Sequence, residues 1–556
     1  MLCSPLALYF YKIAEKQTGD VQMTENHSNH QIEDISTVSL GRNELSGHCL
    51  RFETEGVTQA RYTRHGAIRV MTGERTGRSQ DARYFVTGSR YDEHINWGVK
   101  LNQPFDDKLF EMVWQDALVH AKNAPKPLFL SNLYVGANTK HSRRLRVYTH
   151  YAWHSIFALN MFIELQKHTN LETSDEWTII NDPSFLLHRS YGVKEGRGIF
   201  IDFVGRRILL AGMHYGGEMK KSVFTMMNTE LPLEGNLTMH CAANVGEHGD
   251  TALFLALSGG GKTTLSADPE RYLIGDDEHI WSDEGVSNME GGCYAKGIGI
   301  SLETEPDIYN AIYDGAIVEN ADITEDNIPI LHNPRIENVR VSYDRSHIKN
   351  VMPGNKGGHP ENIFFLTRDA YGVLPAVSRL SPEAALFHFA NAYTTEGGGT
   401  VMGQEKDTVK HKFSFGYGAA FFPLHFHHYT DLLEERIKTH QPRVWLVNTG
   451  WQGGAADGNG RRFALATTRR IIHAALNGEL DDVSTIHLDA LNLDIPEHVP
   501  GVEDSLLNPE LAWGDKKAYR EMREKLIGYY LENHNAKFAD LPEAIRAAGP
   551  HQTSSV

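Results

Sequence analysis

The sequence predicts an α/β protein of two domains, with mixed sheets and a nucleotide-binding loop in the second domain. The chain has 556 residues, which exceeds the size at which a single hydrophobic core usually stops growing. Strand-like and helix-like segments alternate along most of its length. The glycine-rich segment SGGGKTTL at 258–265 follows the apolar run TALFLAL, a pattern typical of a buried strand that leads into a phosphate loop.

Composition and charge argue against several classes of protein. Hydrophobic residues make up 41% of the chain and charged residues 22%, the balance of a soluble globular protein. The formal net charge of -17 argues against broad nucleic-acid binding. No run of 18 apolar residues occurs, so we expect no membrane span. The 4 cysteines are widely spaced without a CxxC pair, which favours a reducing cytoplasm over disulfides or structural zinc.

The two ends of the chain are expected to lie outside the domains. The polar segment TENHSNHQIEDIST has little to bury and is typical of disorder, and either Met1 or Met23 is the start of the protein. The final segment AAGPHQTSSV is typical of a loose tail. A boundary near Gly235 separates an N-terminal α/β domain on the substrate side from a C-terminal domain that binds nucleotide and metal. The predicted units are a disordered extension at 1–35, domains at 36–235 and 236–545, and a tail at 546–556.

The glycine-rich loop has the chemistry that phosphate binding needs. Glycines let backbone N–H groups converge on phosphate oxygens where a Cβ would clash. Lys262 adds a positive charge for the terminal phosphates, and the hydroxyl of Thr263 can bind a magnesium ion. The strict motif has a glycine six residues before the lysine, where this chain has Ala256. That residue closes the strand and need not contact phosphate, so the prediction of a nucleotide site stands.

A second segment, RYLIGDDEHIW, fits a metal site. It predicts a strand at 272–275 followed by a pair of aspartates. Because only a short helix fits between the two segments, we expect this strand and the strand before the loop to lie side by side. Lys221, His240 and Asp277 together offer nitrogen and oxygen ligands suited to a manganese-like ion. The alternatives are a solvated acidic turn, a surface pair of lysines and a histidine buried in the core.

The order of the motifs resembles that of the ATP-dependent phosphoenolpyruvate carboxykinase family. The match runs from RVMTGERTGRS (69–79) to RRFALATTRRII (461–472). The resemblance implies that family's two-domain fold, with the P-loop in the C-terminal domain. It also implies conversion of oxaloacetate and ATP into phosphoenolpyruvate, ADP and CO2, in cytoplasmic gluconeogenesis. The motifs that carry the resemblance are TGRS, YGGEMKKSVFTMMN, LPLEGNLTMHCAANVG, LSGGGKTTL, LIGDDEH, MEGGCYAK, ENVRVSY, YGVLPAVSRL and NTGW.

The resemblance implies a role for each residue that matches a family motif. The implied catalytic residues are Arg78, Lys220, Lys221, Lys262 and Arg340. The implied substrate-binding residues are Arg78, Tyr215, Lys221 and Arg340. The implied nucleotide-binding residues are Ala256, Leu257, Ser258, Gly259, Gly260, Gly261, Lys262, Thr263 and Thr264, together with Lys221, His240, Glu305, Arg340, Arg462 and Thr468. The implied metal ligands are Lys221, His240 and Asp277 for Mn²⁺ and Thr263 for Mg²⁺.

The chain departs from the family pattern in places, and alternatives stay open. The tract WQGGAADGNGRR leaves either Arg461 or Arg462 as the arginine on the base side. The segment 394–412 stands where the family has a mobile lid but differs from it in sequence, although its glycines favour the behaviour of a lid. One alternative is an ATP-binding sensor or a P-loop kinase with another acceptor, and EMKK with MHCAAN argues against it. The other is a GTP-using carboxykinase. The sequence does not indicate the oligomeric state, the regulation or the dominant direction.

Overall fold

The computed structural model of the chain describes residues 32–164, 175–257, 259–303, 305–333, 336, 338–396 and 409–552. In this part of the chain, helices alternate with short strands, as the sequence predicts. None of the helices described has both the length and the apolar character that a membrane span requires. In chain order they are α1 (Arg42–Phe52), α2 (Asp107–Lys122), α3 (Ala152–Met161), α4 (Gly217–Leu233), α5 (Lys262–Ser266), α6 (Pro306–Asn310), α7 (Pro382–Ala390), α8 (His427–His440), α9 (Leu465–Leu476), α10 (Pro509–Ala512), α11 (Lys516–Lys537) and α12 (Glu543–Ala547).

The first large sheet is mixed and has nine strands. They are β1 (Thr37–Val38), β4 (Arg83–Val86), β5 (Gln103–Phe105), β6 (Leu128–Val135), β7 (Arg143–Thr149), β8 (Ile163–Glu164), β9 (Glu176–Asp182), β10 (Gly198–Asp202) and β11 (Arg207–Ala211). Their order is β1-β6-β7-β9-β11-β10-β4-β5, and β8 pairs with β6. β10 and β11 form the antiparallel hairpin that the sequence predicts around Val204 and Gly205.

A second mixed sheet, of eight strands, carries the predicted phosphate loop. Its strands are β13 (Cys241–Val245), β14 (Thr251–Ala256), β15 (Tyr272–Gly275), β24 (Pro360–Thr367), β25 (Val377–Leu380), β28 (Arg443–Asn448), β31 (Thr485–Leu488) and β32 (Leu493–Pro496), in the order β15-β13-β14-β24-β28-β25-β32-β31. The expectation that β14 and β15 are neighbours is wrong, because β13 pairs antiparallel with both and separates them. The start of β13 therefore lies beside the ends of β14 and β15, at one edge of the sheet.

A smaller sheet joins the two halves of the chain. Its strands are β2 (Arg61–Tyr62), β3 (Ile68–Val70), β18 (Gly292–Lys296), β19 (Ile317–Glu319) and β22 (Arg340–Asp344), in the order β18-β22-β19-β3-β2. Because β3 lies parallel to β19, an early segment of the chain is paired with strands that follow Gly235. The domain division at that glycine stays a prediction, and this sheet crosses it.

The remaining strands form a four-stranded sheet and three ribbons. The sheet has the order β12 (Leu237–Met239), β16 (His279–Ser282), β17 (Gly285–Asn288) and β23 (Lys356–Gly357). The ribbons are β20 (Asp322–Ile323) with β21 (Pro329–Ile330), β26 (Tyr393–Glu396) with β27 (Lys410–Phe413), and β29 (Trp451–Gln452) with β30 (Arg461–Arg462). β26 and β27 cover the two ends of the predicted lid at 394–412, and residues 397–408 between them lie outside the described residues.

Helix α4 is the buried element that positions the predicted lysine pair. Every residue of it is buried except Lys221 and Leu233, which are half-buried. The helix includes Pro232, at which the sequence predicts its end, and stops one residue later. The largest hydrophobic core surrounds it and takes side chains from both halves of the chain, including Phe157 and Leu253. Burial on all sides fixes the direction in which the lysines of α4 project.

The folded part of the chain begins at an earlier residue than the sequence predicts. Residues Ile32–Asp34 form a short 3₁₀ helix. Ile32 and Ile35, which the sequence assigns to the disordered extension, are buried in the core beside the first sheet. The prediction is therefore wrong for 32–35, because these two isoleucines find apolar partners that are distant in sequence. Residues 1–31 lie outside the described part of the chain.

The C-terminal tail is also shorter than predicted. α12 includes Arg546 and Ala547, the first two residues assigned to the tail. Pro550 is buried, and the backbone N–H of His551 donates to the carbonyl of Ala490 at 3.0 Å. The prediction of a loose tail is therefore wrong for 546–551, and residues 553–556 lie outside the described part.

Gly292, the first residue of β18, allows that strand to approach α3 closely. A Cβ at this position would clash with the main-chain oxygens of Asn160 and Tyr343. Because backbone atoms cannot rotate away, we expect Gly292→Ala to lower the free energy of unfolding by about 2–3 kcal/mol, measured by urea denaturation. The control is Gly528→Ala in α11, where the Cβ would enter open space and stabilise the helix by about 1 kcal/mol. An unchanged midpoint for Gly292→Ala would contradict the packing described.

Candidate active site

The carboxylate of Asp277 is the centre of a cluster of nitrogen atoms. Its Oδ2 lies 2.9 Å from Nζ of Lys220 and 2.8 Å from Nζ of Lys221. Its Oδ1 lies 2.8 Å from Nζ of Lys262 and 2.9 Å from Nε2 of His240. Burial disfavours the charged carboxylate, yet the three lysines hold the pKa of Asp277 well below its ordinary value. The structure thus brings together the predicted metal residues and the predicted phosphate-loop lysine.

Two further carboxylates contact the lysines of α4. Oε1 of Glu290 lies 2.6 Å from Nζ of Lys220, and Oε1 of Glu278 lies 2.8 Å from Nζ of Lys221. Burial disfavours the charge of Lys220, but Asp277 and Glu290 raise the pKa of this lysine above its ordinary value. Lys220, which is 1% exposed, is therefore a fixed positive charge inside the protein. The alternative of a surface lysine pair is wrong, since both ammonium groups reach one carboxylate.

His240 lies between β12 and β13, where the chain passes from one sheet to another, rather than within a strand as the sequence predicts. Its Nδ1 lies 2.8 Å from the carbonyl oxygen of Tyr417. A carbonyl only accepts, so Nδ1 carries the proton and donates. Burial, followed by the charge of Lys262, lowers the pKa of His240 and favours the neutral ring. Nε2 then presents a lone pair to Asp277, an arrangement that a cation between the two groups stabilises.

The donor atoms around Asp277 fit a divalent metal ion. In the described part of the chain, His240, Asp277 and Glu278 offer ligand atoms that all lie within 4.8 Å of one another. Nζ of Lys221 lies 2.8 Å from carboxylate oxygens of both Asp277 and Glu278. Mixed nitrogen and oxygen ligands suit a first-row transition metal better than Mg²⁺, which prefers oxygen alone.

The predicted phosphate loop connects β14 to α5. β14 ends at Ala256, which is buried in the strand, and Lys262 is the first residue of α5. Gly259 and Gly261 have φ angles of 82° and 94°, a left-handed conformation that residues with a Cβ rarely adopt. Lys262 directs its ammonium group to Asp277, so the loop and the acidic segment meet although β13 separates their strands. Ser258, a predicted nucleotide contact, lies outside the described residues.

The hydroxyl-bearing end of the loop lies beside the predicted nucleotide contact Glu305. Oγ1 of Thr264 donates to Oε1 of Glu305 at 2.5 Å. Thr263 is half-buried in the first turn of α5, next to Lys262. Leu257 and Gly260, which belong to the loop, are buried. The end of the loop therefore contacts Glu305 through Thr264.

Arg78 lies against the ring of Phe421, which also contacts Lys221 of the cluster. Its guanidinium carbon lies 4.6 Å from the centroid of the Phe421 ring, and Nζ of Lys221 lies 4.3 Å from the same centroid. One aromatic ring thus holds the predicted substrate arginine beside a predicted metal ligand. The backbone N–H of the following residue, Ser79, donates to Glu218 of α4. Burial raises the pKa of Glu218 to about 7, against the opposing effect of nearby arginines.

A cleft of about 360 Å³ opens between the Arg78 segment and the start of α4. Its lining includes Arg75, Ser79, His214, Tyr215 and Glu218. The volume is enough for a small anionic molecule, and the lining combines cationic groups with hydrogen-bond donors. The cleft is therefore lined by the predicted substrate tyrosine and by both chain neighbours of Arg78, Gly77 and Ser79.

Tyr215 and Arg340 lie together at the wall of the site. Tyr215 is buried and makes side-chain hydrogen bonds with Tyr294 and Asn338. Nε of Arg340 donates to Oδ1 of Asn338 at 2.8 Å, and its guanidinium carbon lies 5.6 Å from the centroid of the Tyr294 ring. In the pairing of β18 with β22, Arg340 lies opposite Lys296, which sequence reasoning missed. These contacts bring the predicted bridging arginine and the predicted substrate tyrosine to one place.

The predicted base-side residues lie near the ribbon of β29 and β30. Arg462 pairs with Trp451, and its guanidinium carbon lies 5.6 Å from the centroid of that ring. Nε of Arg462 donates to the carbonyl of Thr449, whose hydroxyl donates to Gly260 in the phosphate loop. These contacts favour Arg462 over Arg461 as the arginine closer to the loop. Thr468 is buried in α9.

Sequence reasoning missed several carboxylates of the site. Glu278 follows Asp277 directly in the motif GDDEH, so its position in the sequence could have predicted that it lies near the metal residues. Glu218 lies within the quoted motif YGGEMKK and could have been found in the same way. Glu290 also lies within a quoted motif, MEGGCYAK, but the motif does not indicate its contact with Lys220, because that contact depends on how α4 packs.

Comparison with known proteins identifies relatives that cover most of this chain. A family model described as phosphoenolpyruvate carboxykinase matches residues 40–505. A Moorella thermoacetica protein named phosphoenolpyruvate carboxykinase (ATP) 2 is 42% identical over 494 residues, 87% of this chain and 92% of that protein. Phosphoenolpyruvate carboxykinase (ATP) of Bacillus subtilis is 41% identical over 512 residues, 92% of this chain and 96% of its own. The phosphoenolpyruvate carboxykinase (ATP) of Campylobacter lari is 42% identical over 528 residues, which are 93% of this chain and 98% of that protein.

Asp277→Asn tests the role of the central carboxylate. The amide removes the negative charge that three lysines share, so we expect a loss of about 3 kcal/mol of stability and at least a tenfold weaker affinity for Mn²⁺. Thermal denaturation and titration with Mn²⁺ followed by electron paramagnetic resonance measure the two effects. Asp283→Asn, which removes an exposed carboxylate beside Arg436, is the control and should change neither. Unchanged Mn²⁺ affinity in Asp277→Asn would show that the acidic pair is only a turn.

Proposed function

The chain belongs to the ATP-dependent phosphoenolpyruvate carboxykinase family, and we propose that the site around Asp277 is its active site. The family's reaction converts oxaloacetate and ATP into phosphoenolpyruvate, ADP and CO2. One observation carries the proposal for the site: a single carboxylate contacts both Lys262 of the phosphate loop and the set of Lys220, Lys221 and His240. The group that delivers phosphate and the groups that stabilise the acceptor thus share one centre.

We assign the decarboxylation half of the reaction to the side near Arg78. Loss of CO2 from oxaloacetate leaves an enolate, and fixed positive charges around its oxygen lower the energy of that step. Lys220 suits this role because Asp277 and Glu290 hold it charged against the opposing effect of burial, and their contacts fix its position. Arg78 and Tyr215 are assigned to the substrate carboxylates, since Tyr215 lines the cleft and Arg78 lies between two residues that line it.

We assign the phosphoryl-transfer half to the loop and Arg340. The enolate oxygen attacks the γ-phosphorus of ATP, and the bond from that phosphorus to ADP breaks. Lys262 and Arg340 neutralise charge on the transferring group, and Arg340 also lies within reach of the substrate tyrosine. No protein nucleophile is required. Burial raises the pKa of the Cys241 thiol, so the cysteine beside His240 stays protonated and serves packing.

Enzymes of this family use divalent metal ions, and we propose Mn²⁺ and Mg²⁺ as the ions of this chain. Lys221, His240 and Asp277 would hold Mn²⁺, because a softer transition metal accepts nitrogen ligands. Thr263 would contribute its hydroxyl to a Mg²⁺ ion that accompanies the nucleotide phosphates. When bound, such ions supply Lewis-acid stabilisation of oxygen charge on substrate and phosphate.

The wider assignments are part of the same proposal. The N-terminal unit at 36–235 supplies Arg78 and Tyr215, and the unit at 236–545 supplies the loop and Asp277. The partners are the small molecules oxaloacetate or phosphoenolpyruvate, ATP or ADP, and CO2, with neither nucleic acid nor a membrane. We propose a role in gluconeogenesis in the cytoplasm.

A direct assay tests the proposed function. The purified chain is incubated with oxaloacetate, Mn²⁺ and either ATP or GTP, and phosphoenolpyruvate is measured. We expect product with ATP. Nucleotide binding without product would favour a sensor, and ATP consumption without phosphoenolpyruvate would favour a kinase for another acceptor.

ATP should be a much better substrate than GTP. Arg462 and Thr468 match residues on the adenine side of the family's site, and the contacts of Arg462 with Trp451 and Thr449 support this position. A pocket that hydrogen-bonds one base discriminates by at least about tenfold against another. The measurement is kcat/KM for each nucleotide at fixed oxaloacetate. Equal values would show that the base-side assignment is wrong.

Lys221→Arg separates a metal ligand from a simple positive charge. An arginine keeps the charge but has no lone pair to give a metal. We therefore expect most activity to be lost, with a Mn²⁺ affinity at least about tenfold weaker. Lys438→Arg, at an exposed pair with Glu434 on α8, is the matched control and should behave as the unmodified chain. Near-normal turnover and Mn²⁺ dependence in Lys221→Arg would rule out the ligand assignment.

A further inference from the structure

Three polar side chains project from one face of the sheet that joins the two halves of the chain. Along β22, Arg340 lies opposite Glu319 of β19, and Ser342 lies opposite Tyr294 of β18, in antiparallel pairs. Residues directly opposite one another share a face of a sheet, and so do residues two apart on one strand. Arg340, Glu319 and Tyr294 therefore lie on the same face. Glu319 is fully buried and belongs to none of the motifs that carry the family resemblance.

Both carboxylate oxygens of Glu319 accept hydrogen bonds. The backbone N–H of Gly216 donates to Oε1 at 2.9 Å, and the hydroxyl of Tyr294 donates to Oε2 at 2.5 Å. Gly216 follows Tyr215 directly and precedes α4, so the first bond fixes the backbone beside the predicted substrate tyrosine. Hydrogen bonds to a charged acceptor are stronger than those between neutral groups, so this buried carboxylate holds both donors firmly.

Tyr294 connects Glu319 to the side chain of Tyr215. The two tyrosines share a side-chain hydrogen bond, and their ring centroids lie 6.2 Å apart. Because a phenol hydroxyl both donates and accepts, Tyr294 can donate to Glu319 and accept from Tyr215 at the same time. The centroid of the Tyr294 ring lies 5.4 Å from Nζ of Lys220 and 5.6 Å from the guanidinium carbon of Arg340. Tyr294 is therefore close to three residues assigned to the reaction.

We propose that Glu319 is a positioning residue, which holds the ring of Tyr215 for oxaloacetate binding through the hydroxyl of Tyr294 and the N–H of Gly216. The inference rests on the proposed function, since it requires that Tyr215 contacts the substrate. A carboxylate suits the role because each of its oxygens accepts, so one side chain satisfies two donors. A glutamine has the same shape but only one accepting oxygen.

Glu319→Gln tests the proposal in the full chain. Its carbonyl oxygen must face the N–H of Gly216, so its NH2 group faces Tyr294 and prevents that hydroxyl from donating. Burial raises the pKa of Glu319 to about 7, against the hydrogen bonds from Tyr294 and Gly216, so we assay at pH 8, where the carboxylate is ionised. We expect KM for oxaloacetate to rise about tenfold, while KM for ATP stays within about twofold. Glu361→Gln, at an exposed position of β24, is the control and should match the unmodified chain.

Tyr294→Phe removes the hydroxyl through which Glu319 is proposed to act. Alone, it should raise KM for oxaloacetate by a similar factor. In the Tyr294→Phe background, Glu319→Gln should raise this KM by less than about a further twofold, since the shared contact is already absent. A further tenfold rise would show that the two residues act independently and would overturn the proposal. An unchanged KM in Tyr294→Phe would overturn it as well, even where Glu319→Gln fails to fold.

A purely structural role for Glu319 predicts a different result. If this residue only stabilised the fold, Glu319→Gln would lower the melting temperature and the amount of folded enzyme. kcat would then fall while both KM values stayed unchanged, and that pattern would overturn the proposal. An unmodified chain that forms no phosphoenolpyruvate would overturn the proposed function and this inference with it. An active chain whose KM for oxaloacetate is unchanged in Glu319→Gln would overturn the inference alone.

Discussion

The buried carboxylate of Asp277 is the constraint on which the active site depends. Lys220, Lys221 and Lys262 would repel one another in the interior without a shared negative charge. With Asp277 among them, the protein can keep three ammonium groups close enough to act on one small substrate and one phosphate chain. The same carboxylate, with His240 and Lys221, makes a ligand set for a metal ion. The carboxylate of Asp277 therefore both neutralises the lysines and serves as a ligand in the proposed metal site.

The fold satisfies this constraint through the position of β13. Because β13 is antiparallel to both β14 and β15, its start lies beside their ends. His240 precedes β13, the phosphate loop follows β14 and Asp277 follows β15 closely, so all three meet at one edge of the sheet. α4 then crosses this edge and inserts its two lysines. Because β13 is inserted between them, β14 and β15 are not neighbours as the sequence predicts. The phosphate loop and Asp277 nevertheless lie in contact, since the ends of both strands lie beside the start of β13.

The sequence was informative where chemistry is local and less so where it depends on packing. Lys262, His240 and Asp277 stand in motifs whose residue types alone indicate phosphate or metal, and the mixed α/β fold followed from alternating patterns. The role of Glu290 could not be predicted from its motif in this way, because its contact with Lys220 joins segments far apart in the chain. The chain ends were misjudged for a related reason. Isolated apolar residues in a polar stretch are ordered only when they pack against segments that are distant in the sequence.

Lys221, His240 and Asp277 are proposed to hold one metal ion. Pulsed electron paramagnetic resonance of the Mn²⁺-loaded chain tests it most directly, since coupling between the ion and ligand nitrogens is visible in such spectra. With ¹⁵N confined to lysine, we expect a ¹⁵N coupling from a directly bound lysine nitrogen, together with a ¹⁴N coupling from the histidine ring. Tight Mn²⁺ binding with no lysine ¹⁵N coupling would contradict it.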